Sequence, residues 1–260
     1  MNKLTVILAL CLVAFGLKAQ DKSAFEHRTH DFKKGTLNYR VLYPENFDEG
    51  KEYPLVLFLH GAGERGSDNN KQLAHGSKLF LDAQNRKDFP AIIVFPQCPT
   101  DDYWANVDRV VDENGTRHFT FKKGGKPTNA MQGVLSLTDS LTKLAHVNTE
   151  KVYVMGLSMG GMGTFELVSR KPNTFAAAAP ICGGDTPKAA NKYAKKVPFW
   201  IFHGRKDDIV LPKYSEAMAA AINAKGGDAK LTIYPNANHN SWDPTFAEPE
   251  LLSWLFSNSK

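Results

Sequence analysis

The sequence is poor in cysteine, with three residues in 260. A chain of this length buries roughly three quarters of its unfolded surface, so a large core is available without disulfide staples. Cys98 and Cys182 follow different predicted strands, which leaves open whether they pair.

An excess of one charge is also lacking, because 32 lysines and arginines stand against 27 aspartates and glutamates. Nucleic-acid-binding proteins usually gather basic residues in a run or on one face; no basic run here exceeds two residues, which predicts no nucleic-acid partner.

A long hydrophobic run is missing as well. The longest predominantly apolar stretch, residues 4–17, holds 14 residues, whereas a helix that spans a bilayer needs about 20. Because this stretch follows Lys3 and ends near small residues, we expect a secretory signal peptide over residues 1–20. The predicted product is an exported catalytic domain, residues 21–260, that is periplasmic or extracellular and has no stable membrane insertion.

Hydrophobic residues make up 42% and charged residues 23% of the chain, close to ordinary globular usage, which excludes disorder, collagen and coiled coil. Seven short apolar runs alternate with segments of helical periodicity, a pattern typical of an open α/β sheet. The runs are continuous, which indicates strands covered on both faces in a parallel sheet. We therefore predict an α/β fold with a mostly parallel central sheet and helices on both faces. The strands are expected over residues 37–43, 55–59, 91–95, 152–155, 176–181, 199–202 and 231–234, and the helices over 132–147, 159–170, 214–225 and 249–256.

Residues 104–131 interrupt this alternation. Asn114-Gly115 lies between Val110-Val111 and Phe119, and Asn-Gly between apolar flanks is a good hairpin signal. A basic segment, residues 122–127, follows. We expect a hairpin-like insertion over the strand ends, and the sequence leaves open whether it shapes a substrate site or is an ordinary surface excursion.

The most informative stretch is Gly156-Leu157-Ser158-Met159-Gly160, which follows a predicted strand and opens a predicted helix. In open α/β sheets, ligands bind beyond the carboxyl ends of the strands. A Gly-x-Ser-x-Gly turn at such a strand end exposes its serine above the sheet, and the tight turn needs residues without bulk at the two glycine positions. Ser158 is therefore predicted to be a catalytic nucleophile.

A serine hydroxyl needs a base to remove its proton, and the base needs a carboxylate to orient it. In nucleophile-elbow folds the acid precedes the histidine along the chain. His203 precedes the acidic pair Asp207 and Asp208, so His239 is predicted to be the general base. The acid is expected in the adjacent pair Asp207 and Asp208, between which spacing does not decide, and Asp185 is a distant third choice.

The oxyanion of the tetrahedral intermediate needs two hydrogen-bond donors. One is expected from the N–H of Met159, directly after the serine, and the other from a loop after an earlier strand. His60-Gly61-Ala62-Gly63 is placed for this role, with Ala62 as the predicted donor and His60 as a brace for the loop. No histidine, cysteine and carboxylate group has metal-ligand spacing, so we predict neither a metal nor a cofactor.

Four motifs together resemble the α/β-hydrolase superfamily, over most of the chain from residue 37 onward. They are His60-Gly61-Ala62-Gly63-Glu64-Arg65-Gly66, Gly156-Leu157-Ser158-Met159-Gly160-Gly161, His203-Gly204-x-x-Asp207-Asp208 and His239-Asn240-Ser241-Trp242. Within the superfamily the chain is similar to a secreted branch labelled predicted peptidase or phospholipase/carboxylesterase-like, near the feruloyl and acetyl-xylan esterases. The resemblance implies the α/β-hydrolase fold, favours Asp207 as the triad acid, and implies that Gln97 lies near the substrate pocket.

Two tryptophans follow strand ends near the predicted site. Trp104 and Trp242 are candidates to stack on a sugar or phenolic ring of a substrate, and packing into the protein is the alternative for both. The predicted function is a secreted serine hydrolase that cleaves small-molecule or carbohydrate esters of carboxylic acids, because the sequence after residue 20 has no long apolar segment typical of a lipase lid. A serine peptidase acting on short peptides is the alternative, and a non-catalytic binding module is a more distant one. The oligomeric state is left open.

Overall fold

The computed structural model describes residues 22–122 and 124–260, and this part of the chain forms a large sheet and a separate hairpin. Its strands are β1 (Glu26–Phe32), β2 (Gly35–Leu42), β3 (Tyr53–Leu59), β4 (Ile92–Pro96), β5 (Val107–Val111), β6 (Arg117–Phe121), β7 (Val147–Leu157), β8 (Ala177–Ile181), β9 (Phe199–Gly204) and β10 (Ala229–Tyr234). The large sheet has the order β1-β2-β4-β3-β7-β8-β9-β10. β2 pairs antiparallel with β1 and β4, and every other neighbouring pair is parallel. The predicted mostly parallel sheet is confirmed, while the predicted signal peptide lies outside the described residues.

Helices cover both faces of the large sheet, as predicted. They are α1 (Ser77–Leu81), α2 (Ala83–Asp88), α3 (Asn129–Leu141), α4 (Met159–Arg170), α5 (Lys213–Ala224), α6 (Trp242–Phe246) and α7 (Leu251–Ser257). Met131, Phe165 and Ile222 of α3, α4 and α5 pack in the apolar layer on one face. Phe80 of α1 and Leu255 of α7 pack in the layer on the other face.

Strand β3 shows why continuous apolar runs form this sheet. Its residues 55–59 are fully buried. Leu55, Leu57 and Leu59 face one apolar layer, and Val56 and Phe58 face the other. Because burying an aliphatic or aromatic side chain stabilises the fold by about 1.5–3 kcal/mol, a strand covered on both faces gains free energy from each successive side chain.

Strand β1 and the bounds of α3 differ from the predictions. Strand β1 is missing from the sequence analysis because its residues are mostly polar and exposed, so it lacks an apolar pattern, and it is held at the sheet edge by pairing with β2. The predicted helix over residues 132–147 begins at Asn129 and ends at Leu141, because Val147 already belongs to β7 and pairs with Tyr53 of β3.

The predicted hairpin insertion is confirmed as β5 and β6, whose connecting turn holds Gly115 at a φ of 79°. The rings of Phe119 and Phe121 pack edge-on against Tyr214 of α5. The N–H of Phe119 donates to the Tyr214 hydroxyl over 3.1 Å. A Cβ placed on Gly184, shortly after β8, would lie 3.4 Å from the Phe121 ring, so the hairpin stands beside the carboxyl end of that strand.

Neither cysteine of the described residues is in a disulfide, since Cys98 and Cys182 are both buried free thiols. A search of the described helices for one with the length and apolarity of a membrane span found none.

Candidate active site

Ser158 lies in the tight turn between β7 and α4, with a φ of 54° and a ψ of −116°. This conformation is strained for a residue with a side chain and costs about 1–3 kcal/mol. It is held by the Ser158 N–H, which donates to the Ile181 carbonyl over 2.8 Å. A Cβ on Gly160 would come 1.8 Å from the Leu59 carbonyl oxygen, and one on Gly156 would come 2.4 Å from the Gly160 oxygen. The two glycines of the motif are therefore needed for close backbone approach.

Hydrogen bonds connect Ser158, His239 and Asp207 in a chain. His239 Nε2 is 2.9 Å from Ser158 Oγ, and His239 Nδ1 is 2.7 Å from Asp207 Oδ2. An ionised carboxylate only accepts, so Nδ1 carries the proton and Nε2 accepts the hydroxyl proton of Ser158. Asp207 is 3% exposed, whereas its neighbour Asp208 is exposed, so it is Asp207 that meets His239.

The Asp207 carboxylate receives four hydrogen bonds. Its Oδ1 accepts the N–H groups of Ile209 and Val210 at 2.9 Å each, and its Oδ2 accepts from His203 Nε2 at 3.1 Å and from His239. Burial by itself would raise the pKa of Asp207, but the bonds from His203 and His239 hold that pKa well below its usual value. Asp207 is therefore a carboxylate at neutral pH.

His203 is a neighbour of the site whose role sequence reasoning did not identify. Chain order excluded it as the base, and the structure places it on the far side of Asp207, fully buried. Its Nε2 also lies 2.7 Å from the carbonyl oxygen of Val210, and its Nδ1 lies 2.7 Å from Ser215 Oγ. Since the Val210 and Asp207 oxygens only accept, Nε2 carries a proton and donates. The position of His203 near the end of β9, four residues before Asp207, is the sequence signal from which this contact could have been predicted.

The loop after β3, residues 60–63, is the predicted oxyanion loop. Within the described residues, the N–H groups of Ala62 and Met159 donate to no protein acceptor, so both are free for a ligand. His60 braces the loop, because its Nδ1 lies 2.6 Å from the Gly61 carbonyl and its Nε2 accepts the N–H of Cys98 over 3.0 Å. Burial lowers the pKa of His60 to about 4, which keeps its ring neutral.

Two of the three predicted substrate contacts are wrong in this structure. Trp104 is fully buried, and its Nε1–H donates to the His60 carbonyl over 3.0 Å, so it supports the oxyanion loop from behind. Gln97 is 2% exposed and its amide is fully engaged. Its Oε1 accepts the N–H of Asn69 at 2.7 Å, and its Nε2 contacts Asp68 Oδ1 at 3.2 Å. Both residues order loops instead of facing a substrate.

Trp242, the third of these residues, lies at the site. Its ring is edge-on to that of His239, with 5.5 Å between the centroids, and it also contacts His75. It is only partly buried, so part of the indole is exposed to solvent.

The third candidate acid, Asp185, is buried, and its Oδ1 accepts the N–H of Thr186 at 2.6 Å. Burial raises its pKa to about 7, in contrast to the ionised Asp207. Within the described part of the chain it has no hydrogen bond to a histidine, so it takes no part in the hydrogen-bonded chain at Ser158.

Cys182, Asp207 and His239 bring possible metal-ligand atoms within 4.8 Å of one another. Asp207 and His239 are already bonded to each other. Burial raises the pKa of the Cys182 thiol, and metal ions bind the thiolate. The group is therefore a poor fit for a metal ion, and the expectation of a metal-free reaction stays a prediction.

Comparison with known proteins identifies the family. Residues 102–248 match the model of the dienelactone hydrolase family. The match covers more than half of the chain, which therefore belongs to this family of the α/β-hydrolase superfamily.

The activities named for individual relatives differ from one relative to another. A bifunctional acetylxylan esterase/xylanase of Neocallimastix patriciarum is 37% identical over 203 residues, which cover 74% of this chain and 26% of that protein. The crystal structure of a thermostable esterase has a TM-score of 0.79 at 30% identity and covers 91% of this chain and 64% of its own. Dipeptidyl-peptidase 5 of Porphyromonas gingivalis is 21% identical over 243 residues, which cover 76% of this chain and 32% of that protein. The chain thus spans about a quarter of the first relative's length.

Proposed function

We propose that this member of the dienelactone hydrolase family is an exported serine esterase, which cleaves small or sugar-linked carboxylic esters through Ser158, His239 and Asp207. The observation that carries the proposal is the hydrogen-bonded chain from Ser158 Oγ through both nitrogens of His239 to the Asp207 carboxylate, at 2.9 and 2.7 Å. Export is supported by the signal-peptide pattern of residues 1–20.

In the acylation step, Ser158 Oγ attacks the ester carbonyl carbon while His239 Nε2 takes the hydroxyl proton. Asp207 keeps the other proton on Nδ1 and stabilises the imidazolium that forms. The carbonyl oxygen becomes an oxyanion, which accepts hydrogen bonds from the N–H groups of Met159 and Ala62. His239 then donates its Nε2 proton to the departing alcohol, and the acyl group remains on Ser158.

In the deacylation step, water takes the place of the alcohol. His239 removes a proton from the water, and the resulting hydroxide attacks the acyl carbon. Collapse of the second tetrahedral intermediate returns the proton to Ser158 Oγ and releases the carboxylic acid. The cycle needs only groups of this chain, the ester and water.

The alcohol is proposed to be a sugar or another small hydroxyl compound, and acetylated xylan is the candidate suggested by the relative that is an acetylxylan esterase/xylanase. The exposed part of Trp242 beside His239 supports a ring-bearing substrate. Similarity to a dipeptidyl-peptidase makes cleavage of short peptides the second candidate, because Ser-His-Asp triads in other enzymes also hydrolyse amides.

Initial rates on matched ester and amide substrates separate the two functions. Aryl acetates, feruloyl esters and acetylated xylo-oligosaccharides are expected to be hydrolysed, since esters have the better leaving group and no peptide-binding element is needed. Dipeptide anilides are expected to be hydrolysed far more slowly. Higher kcat/KM for the anilides than for every ester of the panel contradicts the proposal and favours the peptidase.

The oxyanion role of Ala62 is testable by deleting a single N–H. Gly61 has a φ of −76° and a ψ of 178°, a conformation that suits the residue before proline, and proline is tolerated at the first position of a helical turn. The substitution Ala62→Pro is expected to lower kcat by about 10²–10³. Ala62→Ser, which retains the N–H, is the matched control and is expected to keep most of the activity. A folded proline variant with the kcat of the parent enzyme would remove Ala62 from the mechanism.

A further inference from the structure

A cleft of about 580 Å³ opens at the edge of the large sheet where the parallel strands end. It lies between the β1–β2 turn, the segment after β4 and the start of α3. Because β2 is antiparallel to β4, with Tyr39 opposite Pro96, the β1–β2 turn extends past the carboxyl end of β4. The cleft is therefore at the same edge of the sheet as Ser158. We call it the lysine cleft, after the lining residues Lys34, Thr36, Asp101, Asn106, Lys126 and Asn129.

The side chain of Arg65 bridges the oxyanion loop and the wall of the lysine cleft. Arg65 Nε donates to the Ala62 carbonyl over 2.9 Å, and Arg65 Nη1 donates to the carbonyl of Asp102, another lining residue, over 3.3 Å. If the ester carbonyl of a substrate lies at Ala62, the sugar units that follow the ester are within reach of the lysine cleft. A sugar chain is long enough for this, whereas an acetyl group alone is not.

Two lysines from different parts of the chain meet in this cleft. Lys34 Nζ donates to Asn129 Oδ1 over 3.2 Å. Crowding by protein atoms and the adjacent ammonium group of Lys126 lower the pKa of Lys34. Their neighbour Lys122 pairs with Asp108 at 2.7 Å, but within the described residues neither Lys34 nor Lys126 has a carboxylate partner. Two like charges held together without a counter-ion are unfavourable, and an anion between them relieves the repulsion.

The backbone that carries Lys126 is fixed to the body of the protein. Asn106 Nδ2 donates to the Lys126 carbonyl over 3.2 Å, and Arg170 Nη1 donates to the Gly125 carbonyl over 3.2 Å. Asp102, also on the cleft wall, is occupied, because its carboxylate accepts the N–H groups of Tyr103 and Ala130. The backbone of Lys126 is thus held in place. Because Asp101 and Asp102 line the cleft beside the two lysines, its wall has no net positive charge, and an anion is attracted by the local pair of ammonium groups.

We propose that the lysine cleft binds a carboxylate-bearing sugar unit of the substrate chain whose ester is cleaved at Ser158. The proposal rests on the esterase function given above and deepens it, because it names acidic, uronate-substituted oligosaccharides as the preferred substrate class. The ammonium groups of Lys34 and Lys126 bind the carboxylate. Thr36 Oγ1 donates to Asp31 Oδ1 over 2.6 Å, and Asn129 Oδ1 accepts from Lys34. This leaves the lone pairs of the Thr36 hydroxyl and the amide N–H groups of Asn129 for sugar hydroxyls.

The test measures binding without turnover. The full chain carrying Ser158→Ala is titrated calorimetrically with a xylo-oligosaccharide that has one glucuronic acid branch and with the unbranched oligosaccharide of the same length. The branched one is expected to bind at least about tenfold more tightly, since two charge-assisted hydrogen bonds are gained. Added salt is expected to reduce the difference. Free glucuronate and inorganic phosphate are titrated in the same way, and both are expected to bind more weakly than the branched oligosaccharide.

Variants test whether Lys34 and Lys126 cause the tighter binding of the branched oligosaccharide. Adding Lys34→Gln and Lys126→Gln together is expected to bring the ratio of the two affinities close to one. Lys143→Gln removes the same charge from an exposed residue that does not line the cleft, and it is expected to leave the ratio unchanged. Circular dichroism verifies that each variant is folded.

Three results would overturn the proposal. They are equal affinity for the branched and unbranched oligosaccharides, an unchanged ratio in the double variant, and phosphate or glucuronate binding as tightly as the branched oligosaccharide, which would make the cleft a simple anion site. Failure of the parent enzyme to hydrolyse any ester contradicts the proposed function instead, and it is read from the separate ester assay.

Discussion

Replacing Ser158 with alanine is expected to lower kcat on aryl acetates by about 10⁶, the size of effect seen when the nucleophile of a serine hydrolase is removed. Without Oγ no acyl-enzyme forms, and His239 has no hydroxyl within reach to activate. The N–H groups of Ala62 and Met159 remain, so weak hydrolysis by water bound near His239 continues. The measurement is the initial rate at saturating substrate, on protein whose thermal unfolding has been checked.

The matched control is Ser253→Ala. Ser253 is an exposed serine of α7 whose Oγ donates to the Glu250 carbonyl, so its loss removes a hydroxyl without touching the site. Full activity is expected for this variant. If Ser158→Ala kept activity close to that of Ser253→Ala, Ser158 would not be the nucleophile.

Replacing Asp207 with asparagine is expected to lower kcat by about 10⁴, as for the buried acid of other serine triads. An asparagine amide donates to His239 Nδ1, which moves the ring proton to Nε2, where it blocks acceptance of the Ser158 proton. Asp208→Asn is the matched control, because Asp208 is exposed and next in sequence, and its activity is expected to be close to that of the parent. Equal losses in the two variants would contradict the assignment.

The pH dependence of the thermal stability of Asp207→Asn provides a second test of the role of Asp207. The folded-state pKa of Asp207 is held below its usual 3.8, so its charge stabilises the fold above about pH 4, and this contribution is lost as the pH falls through the folded-state value. Asp207→Asn is therefore expected to lower the Tm at pH 7 and to have a smaller effect below pH 4. A decrease in Tm that is the same at pH 7 and below pH 4 would show that the bonds to His203 and His239 do not depend on the carboxylate charge.

The sheet and the turn at Ser158 were predictable because local sequence determines them. Residues 55–59 form an unbroken apolar run, and only a strand covered on both faces buries all of them. Gly156 and Gly160 bracket a serine at a strand-to-helix junction, and both glycines lie where the backbone leaves no room for a Cβ. β1 was not predictable in this way, because its stability comes from pairing with β2 and not from buried side chains.

The surroundings of the site depend on contacts between distant segments, and here prediction failed. Trp104 and Gln97 each follow β4, at the correct end of the sheet, yet their side chains turn inward to bond His60 and Asn69. Sequence shows that a residue follows a strand but not which way its side chain points. The meeting of Lys34 with Lys126 in one cleft likewise arises from tertiary packing between segments that are distant in the chain.

Covalent trapping shows whether Ser158 is an activated nucleophile. The protein is treated with a fluorophosphonate, its intact mass is measured, and the modified peptide is sequenced by mass spectrometry. For an activated nucleophile at Ser158 we expect one adduct per chain, located on Ser158, and none in Ser158→Ala or after prior inactivation by heat. An esterolytically active protein that takes up no adduct, or one that is labelled on another residue and to the same extent in Ser158→Ala, would contradict this role of Ser158.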